Sequence, residues 1–150
     1  MLTVPSIDAL LGMVGDKFPH SEWHEVTQQE VNLFADATGD HQWIHVDPER
    51  AQAGPFGGPI AHGYLTLALV PVLMSSVVKV EGVKMGINYG LNRVRFPAPV
   101  RVGTRVRASG TLKEATAIPG GVQAVFEVTV ESQAGDKPAC VAETVVRYLG

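Results

Sequence analysis

The stretch HGYLTLALVPVLMSSVVKV, His62 to Val80, decides the architecture. Leu65, Leu67, Leu69, Val70, Val72, Leu73 and Met74 leave it without a clear polar face, which is how a helix buried on most sides reads. A long central helix is therefore expected over about 62–80. Pro71 removes one helical donor inside the run and predicts a bend there or the start of a second segment. Broken by Pro71, Ser75 and Ser76, the apolar run from Tyr64 to Val78 falls short of the ~20 residues a bilayer span needs, so no membrane crossing is expected.

Beyond this helix the pattern changes near Val83 to a period of two. Val102, Val106, Ala108 and Leu112 fall on one face, opposite Arg105, Arg107, Ser109 and Lys113. Val122, Ala124, Phe126, Val128 and Val130 do the same opposite Gln123, Glu127 and Glu131. Cys140 to Leu149 is apolar on both faces and suits a central strand. Turn signals at Phe96–Pro99, Pro119–Gly121 and Gly135–Pro138 punctuate the runs at hairpin-like spacing. At least four antiparallel strands packed on one helix are expected, an α+β class.

Upstream, Thr27 followed by Glu30 is a capping-box signature that predicts a helix from about Gln28, with Val31, Leu33, Phe34 and Ala37 as its apolar face. Gly39 is placed to stop it. Asp40 to Ile44 then reads as a loop. Asp47 before Pro48 starts a short helix over about 48–53, and Gly54 to Pro59 is a turn-rich break.

With 150 residues, 45% of them hydrophobic, and no linker or repeat, one domain over 1–150 is expected. A formal charge of −3 with scattered Lys and Arg does not suit nucleic acid. The lone Cys140 sits in an apolar run and reads as a small buried hydrophobe. The amino-terminal segment carries Asp8 within its apolar run and no basic leader, so it does not read as a secretory signal, and a cytoplasmic protein is expected.

Asp40 and His45, five residues apart between two capped segments, are the residues most suited to acid–base chemistry. The spacing alone is equally compatible with Asp40 serving as a turn residue that bonds its own loop. Gly63 falls in the first turn of the buried helix, where backbone donors are unsatisfied and the dipole favours negative charge. His62, beside it, either contacts substrate or orders the entry turn. His41 and Trp43 flank the pair and either line a channel or, for Trp43, pack on the preceding helix. His20 and His24 read as surface. His41 and His45 lie four apart in a predicted loop without an intervening HExxH glutamate, so no metal is expected. Arg93 and Arg95 either bind phosphate groups of a ligand or form an exposed strand face.

The run FADATGDHQWIHVDPERAQAGPFGGPIAHGYLTLAL, Phe34 to Leu69, resembles the signature of the MaoC-like (R)-specific enoyl-CoA hydratases: Gly-Asp, any residue, Asn-Pro, an aliphatic residue and His. NYGLNRVRFPAPVRVGTRVR, Asn88 to Arg107, is similar to the same family's next strands. The resemblance implies a single hot-dog fold, with an antiparallel sheet wrapped around the central helix, and a homodimer. It implies that Asp40 and His45 activate water, that the Gly63 amide receives the thioester oxygen, and that the substrate is an acyl-CoA, whose phosphates are those that Arg93 and Arg95 would bind. Coenzyme A is then part of the substrate and no separate cofactor is implied. Gln42-Trp43 stands where the family has Asn-Pro, keeping an amide side chain on a longer arm and losing the proline. Two rivals remain at this level: a hot-dog thioesterase, which would attack the carbonyl carbon, and a non-catalytic acyl-CoA-binding partner subunit.

Overall fold

The computed structural model describes residues 1–150. In chain order its elements are β1 (Leu2–Val4), a 3-10 turn (Asp8–Gly12), β2 (Lys17–Phe18), β3 (His24–Glu25), α1 (Gln28–Thr38), α2 (Trp43–Val46), α3 (Pro48–Gln52), α4 (Gly63–Ser75), β4 (Val78–Val80), β5 (Met85–Arg95), β6 (Arg105–Ile118), β7 (Gly121–Ser132) and β8 (Cys140–Leu149). The predicted strands form one antiparallel sheet in the order β2-β6-β7-β8-β5, with β3 also on β6.

The alternation read from the sequence sets the sheet's faces. Leu112 pairs with Phe126 and Val128 with Ala142, so these side chains share the inner face. Val106, Ala108 and Leu112 of β6 are fully buried, as are Val122, Ala124 and Val130 of β7. They form one core with Leu65, Val70 and Leu73 of α4. At about 25 cal/mol per Å² of apolar surface, this contact between sheet and helix is the main stabilising term. The expected α+β hot-dog arrangement is thus present, a curled antiparallel sheet holding one helix. Cys140 is fully buried within it, and burial pushes its thiol up to about 11, which suits an inert packing residue.

The central helix is shorter and less enclosed than its hydropathy predicts. It runs without interruption through Pro71, with no second segment, but ends at Ser75. Ser75 Oγ donates to Val72 O and Ser76 Oγ to Leu73 O, side-chain bonds that compete with continuation of the helix. Val78–Val80, expected as helix, instead pairs in parallel with Leu2–Val4. β-Branched valines suit either element, and a strand partner more than seventy residues away decides between them. Nor is α4 buried all round: Tyr64, Ala68, Pro71, Val72 and Ser75 form an exposed stripe, with Tyr64 at 72% and Val72 at 60%.

α1 begins and ends where its signals place it. Thr27 Oγ1 accepts from Glu30 N–H at 3.2 Å, and Gly39 takes φ +83°, a left-handed cap open to glycine without strain. The reciprocal half of the capping box does not form. The Glu30 carboxylate instead accepts from His24 Nε2 at 2.8 Å, tying α1 to β3. The expected loop over 40–44 is also shorter, since α2 starts at Trp43 and carries His45. Asp47 then caps α3 by accepting from Arg50 N–H at 3.1 Å.

Candidate active site

Three segments meet beside the amino end of α4: the link Gly39–Gln42, the helical turn α2, and the extended run Pro59–His62. The third is anchored by Ala61 N–H to Val100 O at 2.8 Å and Val102 N–H to Pro59 O at 2.9 Å. It meets α2 where Ile60 N–H donates to Ile44 O at 3.0 Å. These bonds bring a carboxylate oxygen of Asp40 and one ring nitrogen each of His45 and His62 within 4.8 Å of one another.

His45 is the most constrained of the three, at 6% exposure. Its Nδ1 lies 2.7 Å from Ile60 O. A carbonyl can only accept, so Nδ1 carries the proton and Nε2 of the neutral ring is left as a base. Burial holds this imidazole below its ordinary range, helped by neighbouring His62 and opposed by the Ile60 hydrogen bond and by Asp40. Asp40, by contrast, is exposed; its Oδ1 accepts from Gln42 N–H at 3.4 Å. One water bonded to both a carboxylate oxygen and an imidazole nitrogen spans up to about 5.6 Å at ordinary hydrogen-bond lengths, so a 4.8 Å separation accommodates it.

His62 is 2% exposed and stacks on His45 with ring centroids 3.9 Å apart and planes 25° apart. Its Nε2–H donates to the Asp40 carbonyl at 3.0 Å and its Nδ1 meets no partner. Asp40, His45 and His62 are the residues that could hold a metal ion. Stacked rings direct their in-plane lone pairs side by side, however, whereas a tetrahedral ion needs them to converge.

Gly63 opens α4, so the Gly63 and Tyr64 N–H groups precede the first intrahelical acceptors; Leu65 and Thr66 N–H both reach His62 O. The helix therefore leaves its first two backbone donors without an intrahelical partner. A Cβ at position 63 would lie 3.0 Å from the Phe96 ring, which also meets Tyr64 edge-on, so any side chain there needs that ring to give by a few tenths of an ångström.

The side chains of the remaining candidates make no hydrogen bond to Asp40, His45 or His62. Gln42 caps α2 with its backbone and its side chain is exposed. Trp43 packs over Gly54 and under the Arg50 guanidinium at 4.4 Å. His41 pairs on the surface with Asp36 at 2.9 Å, which raises its imidazole above the ordinary value. Arg93 shares the sheet's outer face with Glu143, its register partner, and Glu127 beyond it. The shallow groove Arg93 and Arg95 line contains both glutamates, whose charge disfavours a phosphate. Ile60, Phe96 and Gln28, which donates to His45 O at 2.8 Å, escaped the sequence reading. Ile60 acts through a backbone carbonyl, which leaves no trace in side-chain chemistry.

A cavity of about 740 Å³ lies apart from the histidine pair. Leu67, Val70, Pro71 and Met74 of α4 form one wall, with Gly86, Gly90 and Leu91 of β5 among the residues opposite. It is an open apolar groove running along the second half of α4.

The family model described as MaoC like domain matches residues 11–136. A 3-hydroxyacyl-thioester dehydratase Z of Mycobacterium tuberculosis is 59% identical over 150 residues, covering 99% of both chains. An (R)-hydratase from A. caviae involved in PHA biosynthesis superposes with TM-score 0.72 at 27% identity, over 90% of this chain and 96% of that one. An (R)-hydratase of Pseudomonas aeruginosa, without ligand, gives TM-score 0.73 at 26% identity over 91% and 81%.

Proposed function

Since the chain belongs to the MaoC-like domain family, we propose that it catalyses reversible (R)-specific hydration of trans-2-enoyl-CoA to (3R)-3-hydroxyacyl-CoA in fatty acyl metabolism. The observation that carries this reading is the His45 ring, tied through Nδ1–H to Ile60 O with its other nitrogen left basic, and grouped with the Asp40 carboxylate within 4.8 Å. Asp40 and His45 hold a water between them. His45 accepts its proton as oxygen attacks C3, and the pair returns a proton to C2 on the same face, so that the two act as one unit. Negative charge developing on the thioester oxygen meets the free Gly63 N–H at the positive end of α4, a donor worth on the order of 3 kcal/mol. No cofactor is needed beyond the CoA that the substrate brings. Acyl-CoA as substrate, with a reduced buried Cys140, fits work in the cytoplasm.

A homodimer belongs to the same proposal. β5 ends the sheet with one edge unpaired, and its exposed Leu91 lines the same groove as Pro71 of the open α4 stripe. An edge strand and an apolar helix face left open together are surfaces that a second copy covers. No helix is long and apolar enough to cross a membrane.

Incubation with crotonyl-CoA tests the activity by following the conjugated thioester absorbance alongside free thiol. Loss of absorbance without thiol, giving the (3R) product, is expected. Thiol release would identify a thioesterase, and no change in either signal would leave an acyl-CoA-binding subunit. Sedimentation at micromolar concentration should return twice the chain mass; a monomer would refute the dimer.

A further inference from the structure

Hydration by a carboxylate and an imidazole requires a fixed distance between them, yet neither Asp40 nor His45 sits on an element that can hold itself in place. Asp40 is exposed in the link between α1 and α2, and α2 has four residues, far below the length at which a helix is stable alone. Two side chains from outside the link grip its backbone. His62 donates Nε2–H to the Asp40 carbonyl at 3.0 Å, and Gln28, from the first turn of α1, donates to the His45 carbonyl at 2.8 Å. Both donors are themselves held. The His62 ring lies between His45 and Phe34, whose centroid is 4.8 Å away, and Gln28 also donates to Asn32 Oδ1 at 2.9 Å.

The same two side chains contain the only buried side-chain polar atoms without a partner, His62 Nδ1 and Gln28 Oε1. An unpaired buried acceptor is costly, and a fold keeps one where the other end of the group does something the structure needs. An apolar ring at 62 would fill the space between Phe34 and His45 without that cost, but would leave the Asp40 carbonyl without its donor.

We propose that His62 and Gln28 are positioning residues, which set the separation of the Asp40 carboxylate and the His45 imidazole by clamping the two main-chain carbonyls. This rests on the hydratase reading and replaces a substrate contact for His62, whose Nε2 is already committed. Neither residue needs to touch the substrate.

Four variants of the full chain test it: His62→Gln, which can present an amide N–H where Nε2–H lies; His62→Phe, which keeps a ring without a donor; Gln28→Met, which keeps length without a donor; and Gln28→Glu, which keeps the acceptor alone. Kinetics with crotonyl-CoA and amide exchange over residues 40–46 are measured for each. His62→Phe, Gln28→Met and Gln28→Glu should lower kcat by about 100-fold, the scale of an ångström's misplacement, with KM within about threefold. They should also speed exchange across 40–46 by about fivefold or more. His62→Gln should keep native exchange and a kcat within about tenfold of the parent, since its donor is retained.

Equal loss in His62→Gln and His62→Phe would overturn the clamp, because packing would then be the whole role of the ring. So would a rise in KM at constant kcat, which marks direct substrate binding. Should His62→Phe fail to fold, the two Gln28 variants decide. If the parent chain hydrates no enoyl thioester, the hydratase reading fails by itself, and the exchange rates still decide whether the clamp exists.

Discussion

Replacing His45 separates its two jobs, holding the extended run Pro59–His62 through Ile60 O and accepting a proton. His45→Ala removes a buried ring and leaves the Ile60 carbonyl, bonded at 2.7 Å, without a donor. An unpaired buried carbonyl costs about 1–3 kcal/mol, and the cavity left by the imidazole adds to it, for a total of about 3 kcal/mol. At about 2–4 °C per kcal/mol for a domain of this size, the melting temperature should fall by about 6–12 °C. His45→Asn places an amide N–H near the position of Nδ1–H and keeps the Ile60 bond. What it gives up is ring volume and the stack on His62, about 1 kcal/mol or about 2–4 °C. Both variants lose the Nε2 base, so both should hydrate crotonyl-CoA about 10²–10⁴-fold more slowly. Thermal unfolding and initial rates on the same preparations read the two effects independently. A His45→Asn protein working at more than about a tenth of the parent rate would refute Nε2 as the base. Equal melting temperatures for the two variants would refute the hydrogen bond as the reason His45 is held.

Asp40→Asn should cut kcat by about 10³-fold yet shift stability by less than about 0.5 kcal/mol, because the side chain is exposed and its one bond is long; activity near that of the parent would remove Asp40 from the reaction. The lowered pKa of His45 gives a signed prediction for stability. Below about pH 6.5 the unfolded chain binds a proton that the buried ring resists, so stability conferred at neutral pH is lost as pH falls toward the folded-state value, by at most about 1.4 kcal/mol per unit. Urea midpoints should therefore bring the parent and His45→Asn closer together at about pH 5.5 than at about pH 7.5, and a widening gap would contradict the assigned direction. Gly63→Ala should cost about 1–3 kcal/mol through collision with the Phe96 ring, and Phe96→Leu in the same chain should recover part of it; an additive loss would mean that the ring is not the obstacle.

The parts of this molecule legible in its sequence are those fixed by local chemistry. Thr27 and Gly39 bound α1 because a cap and a left-handed residue act within a few positions of themselves. The β6 and β7 faces followed from period-two alternation, since a strand with one face on a core writes its burial directly into residue type. Asp40 and His45 stood out through side-chain chemistry and through a motif that departs from its family only at Gln42-Trp43. Features settled by distant partners were not legible. The end of α4 depends on a strand at the other end of the chain, the tautomer of His45 on a carbonyl fifteen residues away, and the room for a side chain at 63 on a ring delivered by the turn after β5.

The exposed stripe on α4 belongs to a further kind. Hydropathy reports how much of a segment is removed from water, but not by what. Leu65, Val70 and Leu73 are covered by this chain's own sheet, whereas Tyr64, Pro71 and Val72 are as apolar and are left open by it. Sequence reasoning placed Val72 in the same buried set as Leu65, Val70 and Leu73, because hydropathy does not distinguish cover by one chain from cover by two. In the proposed dimer a second copy laid along β5 and α4 covers the open set, so that the apolar excess on the outer face of the helix encodes assembly where the inner face encodes folding. Val72→Glu on the open stripe discriminates between them: it should leave a folded chain of unchanged sheet content that sediments as a monomer, whereas a helix buried within one chain would unfold on receiving the same charge.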